Sequence, residues 1–175
     1  MSSNSLKSTG LKAAQTSGRD TTGRRGARRQ ARELALKVIY SLRDQEPDIR
    51  LVLDRFWGNF RFSEDVLGDP LEDVSQKMSP DVLSFAETLV RGVHANLEAI
   101  DRVLKEYSTN WTLGRMARVD LAILRLAAYE LLYCPSVPNS VIINEAIEIG
   151  KRFGSQETPS FVNGILDQIS RKYGQ

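Results

Sequence analysis

Apolar residues along this chain recur at steps of three and four and never settle into the alternation a strand needs, so the segments able to bury a face are helices. From Arg25 to Asp44 the buried stripe is Ala31, Leu34, Ala35, Val38, Ile39 and Leu42. Residues 48–60 read as a second, short helix, followed by a loop rich in Gly, Asp and Pro through Ser79. Ser79 then caps a helix with Pro80 at its first position, and Val82, Ala86, Leu89, Val93, Leu97, Ile100, Leu104 and Tyr107 carry it unbroken to about Tyr107. A short helix is expected around Trp111–Met116. Residues 118–134 are apolar on nearly every side, as a central helix must be, and Pro135 stops them. Pro138 opens the next helix, which runs to Phe153 and ends at Gly154 as a left-handed C-cap. Thr158 and Pro159 supply a cap and first turn for the last helix, with Phe161, Ile165, Leu166 and Ile169 on one face. The fold class is all-α, six or seven helices, in an N-terminal group (25–107) and a C-terminal group (112–172) with a hinge between them.

The net charge of +2 conceals an asymmetry. Residues 1–32 hold eight basic residues against Asp20 alone, a balance of +7, and the rest of the chain carries −5. Residues 1–23 read as a disordered basic extension, although their Ser/Thr-rich, acid-poor composition is also that of an organelle transit peptide. The most apolar run, 121–134, is shorter than the ~20 residues a membrane span needs and contains Arg125 and Glu130. Cys134 is the one cysteine and His94 the one histidine, so neither an internal disulfide nor a zinc site can be built, and the count fits a reducing cytoplasm. No cofactor is expected. Nucleophilic catalysis would have to use these two residues, and both sit in helical, apolar surroundings; "GRRG" lacks the strand and the Lys-Ser/Thr of a phosphate loop. The chain reads as no enzyme.

The segment "GRRGARRQARELALKVIY" is where a mechanism is visible: five arginines fall in ten positions and run straight into a core helix. Arg25, Arg28, Arg29 and Arg32 share the helical spacing but centre roughly 100° around from the apolar stripe, and Leu36, Tyr40 and Arg43 continue that second side. The arginines therefore flank the core, with Tyr40 pointing nearly opposite to it. Arginine donates paired hydrogen bonds to phosphate, and an aromatic face stacks on single-stranded bases, so the pattern suits RNA. The alternative is a solvated helix start with no ligand. Glu130, inside the most buried helix, requires a charge or hydrogen-bond partner on another helix.

"VDLAILRLAAYELLY", "VPNSVIINEAIEIGKRFG" and "FVNGILD", together with "RRQARELALKVIYSL", resemble the NusB family of bacterial transcription antitermination factors from about Arg24 to Lys172. The 44–79 region is longer than is usual there. The resemblance implies two packed helical bundles in a 24–175 RNA-binding domain. It implies a non-catalytic cytoplasmic protein that binds boxA RNA of ribosomal RNA operons with the ribosomal small-subunit protein NusE, in the RNA polymerase antitermination complex. Some family members self-associate, so a homodimer is an alternative state. So is a fragment of an RNA cytosine methyltransferase carrying a NusB-like domain. Carried over by residue, the implied RNA surface is Arg25, Arg28, Arg29, Arg32, Tyr40, Gln156, Glu157 and Phe161, and the implied partner surface is Arg115, Asp120 and Glu145. Phe153 and Asn163 are assigned to structure.

Overall fold

The computed structural model describes residues 20–42, 48–58, 79–108 and 112–173, excluding the side chains of residues 20–25. Most of the 1–23 extension and of the 44–79 segment lies outside the described residues. Those described form seven α-helices and one 3-10 turn, with no strand: α1 (Asp20–Ser41), α2 (Ile49–Gly58), α3 (Pro80–Ala95), α4 (Leu97–Tyr107), the turn Leu113–Arg115, α5 (Arg118–Tyr133), α6 (Asn139–Phe153) and α7 (Thr158–Tyr173).

Local signals place most of these ends. The Ser79 Oγ accepts from the Asp81 N–H at 3.2 Å, with Pro80 opening α3 as its fixed φ favours. Pro138 caps α6, and α5 ends two residues before Pro135. The expected single helix over 80–107 is instead broken at Asn96, whose φ of −115° and ψ of 16° leave the helical region. There its N–H at 3.2 Å and its side-chain Nδ2 at 2.8 Å both donate to the Gly92 carbonyl, and the chain turns at this residue. As a result α4, expected with the N-terminal group, packs against α5 and α7.

α5 is the axis. It touches α1, α3, α4, α6 and α7, and its residues from Ala122 to Ala128 are all buried. Arg125, within that run, is paired with Asp101 of α4 through bonds of 2.9 and 2.8 Å. Gly92 of α3 makes the α3–α5 approach possible, because the Tyr129 ring occupies the space a Cβ would fill. At the other end of the molecule the expected left-handed cap at Gly154 is not formed: its φ of −98° and ψ of −172° are extended. Glycine is required there for room, since the Thr158 side chain fills the Cβ position. Thr158 likewise does not act as a simple cap; it is buried, donates to Asp120 Oδ1 at 2.7 Å and accepts from the Ser155 N–H at 2.9 Å.

Candidate nucleic-acid interface

α1 lies between α3 and α5, so two of its faces are buried rather than one. Leu36, expected beside the arginines, is completely buried, and Arg32 goes with it at 3% exposure. This corrects the expectation that all the arginines flank the core. The Arg32 guanidinium makes a two-point pair with Glu130 of α5, Nε to Oε2 at 2.9 Å and Nη2 to Oε1 at 2.8 Å, which supplies the partner that the Glu130 carboxylate needs. Arg32 is therefore an interior ion-pair residue and presents no free fork to a ligand.

One turn earlier the picture changes. Arg28 is exposed, its guanidinium carbon stands 4.9 Å from the centre of the Phe85 ring of α3, and Arg32 approaches the same ring at 5.8 Å. Arg29 is half-exposed but engaged: its Nε and Nη2 each donate to Glu145 of α6 at 2.9 Å. That hydrogen bond and the charge of Glu145 raise the Arg29 pKa further, against a smaller opposing effect of burial, so its charge is permanent. Glu145, expected on a partner surface, is only 2% exposed and turned toward Arg29. Arg25 lies on the first turns of α1, and its side chain is outside the described residues.

Farther along α1 a second group assembles. Glu33 accepts from Arg152 Nη1 at 2.6 Å, while Lys37 and Arg152 lie 5.5 and 5.0 Å from the Phe153 ring. Tyr40 is half-buried against the core rather than opposite to it, and Arg118 of α5 covers its ring at 4.8 Å while donating to the Tyr40 carbonyl at 2.8 Å. Two residues on, Asp120 holds Thr158, so the start of α5 ties Tyr40 and the start of α7 to the same end of the molecule. Gln156 and Glu157 are exposed there, and Phe161 is half-buried one turn into α7. Of the expected partner residues, Arg115 is exposed on the 3-10 turn, whereas Asp120 is half-buried and engaged. The ridge thus winds along α1 from Arg28, on the side facing α3, to Lys37 and Tyr40, on the side facing α6 and the start of α5, twelve positions of helix or roughly 18 Å.

Sequence reasoning missed Lys37, Arg118, Arg152 and Phe153 as neighbours of this ridge. They are spread over three helices, Lys37 on α1, Arg118 on α5 and Arg152 with Phe153 on α6, and only the packing of α6 and the start of α5 beside α1 gathers them. The one available signal was the basic pair Lys151–Arg152 closing α6. Elsewhere, burial pushes the Cys134 thiol up, with the Glu130 charge adding to it and the Tyr129 hydroxyl and Arg32 opposing. Among the described residues no three His, Cys, Asp or Glu side chains are grouped to hold a metal, and no helix is long and apolar enough to cross a membrane.

A family model described as the NusB family matches residues 29–171. Transcription antitermination protein NusB of Syntrophotalea carbinolica is 64% identical over 146 residues, spanning 83% of this chain and 93% of that protein. Among solved structures, T. maritima NusB is 32% identical with a TM-score of 0.68, covering 85% of this chain and 93% of its own. A structure of antitermination factors NusB and NusE in complex with double-stranded RNA shares the fold, with a TM-score of 0.67, 20% identity, and coverage of 85% of this chain and 98% of that one.

Proposed function

The chain belongs to the NusB family, and we propose that it is a non-catalytic transcription antitermination factor that binds boxA RNA of ribosomal RNA operons together with NusE. The curated relatives carry the name of antitermination protein, and one protein of this fold was solved with NusE and RNA, which supports the assignment of partners. The observation that carries the reading is the ridge of α1: cations at Arg28, Lys37, Arg118 and Arg152 are interleaved with the rings of Phe85, Phe153 and Tyr40. Cations give phosphate contact with counterion release, and the rings beneath them hold the cationic groups in place for it.

In this reading Arg28, Tyr40, Gln156, Glu157 and Phe161 face the RNA, with Arg25 extending the surface toward the N-terminus. Arg29 ties this surface to α6, because its fork is already given to Glu145. Arg115 is the exposed candidate for protein contact, and through NusE the particle joins the RNA polymerase antitermination complex in the cytoplasm. The test is a fluorescence titration of a short single-stranded boxA-type RNA, with and without NusE, across salt. Arg28→Ala should weaken binding across RNA sequences and lower the salt slope by roughly one. An unchanged affinity and slope for Arg28→Ala and Lys37→Ala together removes the ridge as the RNA surface.

A further inference from the structure

We infer that Phe85 of α3 is a positioning residue for the RNA contact, its ring holding the Arg28 guanidinium ready for phosphate. The inference rests on the RNA reading above and deepens it. Arg28 and Arg32 are one helical turn apart on α1, a spacing at which like charges repel mildly. Both nevertheless lie over the same ring, at 4.9 and 5.8 Å. The ring is held from two directions: it packs against the core, and its inner neighbour Arg32 is fixed by the two bonds to Glu130. Glu130, Arg32, Phe85 and Arg28 thus form a series leading from the interior to the surface.

The end of that series is the informative part. Arg29 and Arg32 each have a carboxylate partner, Glu145 and Glu130. Among the described residues Arg28 has none, so none of them neutralises its charge. Contact with a ring face consumes no N–H donor, leaving the guanidinium free to donate to phosphate oxygens. A long side chain already restrained in the free protein loses less freedom on binding than an unrestrained one. Phe85 therefore acts on affinity through Arg28 without touching RNA itself.

A double-mutant cycle on the full chain tests this, using the same boxA-type RNA in the presence of NusE. Phe85→Leu keeps apolar volume and removes the ring face, and it should weaken binding about two- to five-fold, the range an exposed cation–ring contact supports. Phe85→Tyr should restore wild-type affinity. In an Arg28→Ala background, Phe85→Leu should add nothing further. Helical circular dichroism and the unfolding midpoint of each variant identify loss of fold, and Phe85→Trp keeps a ring if the leucine variant unfolds. Equal losses from Phe85→Leu with and without Arg28, or no loss where Arg28→Ala itself weakens binding, overturn the inference alone. No loss from Arg28→Ala overturns this inference, and no loss from Arg28→Ala with Lys37→Ala overturns the RNA reading with it.

Discussion

Glu130 stands in a helix packed on every side, and its carboxylate is tolerated there because the Arg32 fork meets it with parallel, charge-assisted hydrogen bonds. Removing one member leaves the other as an uncompensated buried charge. Glu130→Ala should therefore destabilise the protein by about 3–5 kcal/mol, read from the urea midpoint, while Arg32→Met with Glu130→Leu recovers most of the loss by replacing both charges with apolar volume. The need of Glu130 for a partner was legible in the sequence; the identity of that partner was not, because it depended on a second face of α1 being covered. Cys134 offers a check on the same neighbourhood. Its thiol is held above the ordinary range by burial and the Glu130 charge, so at a given pH less thiolate is present. Alkylation by iodoacetamide should accordingly be slower than for a free thiol at pH 8 and show its inflexion at higher pH.

Helices contact one another here through positions where a side chain is missing as much as through those where one is present. Gly92 admits the Tyr129 ring between α3 and α5, and Gly154 admits Thr158 between α6 and α7. Gly92→Ala should lower stability by about 1–3 kcal/mol, the usual range for overpacking, measured as a drop in the unfolding midpoint; Tyr129→Leu in the same chain should relieve part of it. Ends marked by local chemistry were readable in advance: Ser79 with Pro80, Pro135, and Pro138 all fall where expected. The break at Asn96 was not, because the apolar spacing continues through it. What changes there is the partner: Val93 and earlier residues belong to α3, while Ile100 and Leu104 belong to α4 packed on α5 and α7. Gly154 was found for the wrong reason, since the residue is needed for space beside Thr158 and not for a left-handed turn.

At the scale of the molecule, α1 serves two purposes that the sequence presents as one charge cluster. Its interior arginine joins the helix to α5, and its outer positions, with α6 and the start of α5, line a ridge of cations and rings. The all-α class and the α1 origin of the candidate site were legible because helical spacing and charge are local. The contributions of Lys37, Arg118 and Arg152 emerge only when three helices are packed. Residues 1–19 add Lys7, Lys12 and Arg19 without an acidic residue. Deleting them should weaken RNA binding chiefly at low salt, where screening is least, and the ratio of affinities should approach one as salt rises. The most direct test of the account is photocrosslinking of a thiouridine-labelled boxA-type RNA to the protein in complex with NusE, with attachment sites identified by mass spectrometry. The account requires attachments along the first turns of α1, at Tyr40 and within residues 155–161. Attachments confined to α4 and the end of α7, around Tyr107 and Tyr173, with the α1 ridge still open to solvent, would contradict it.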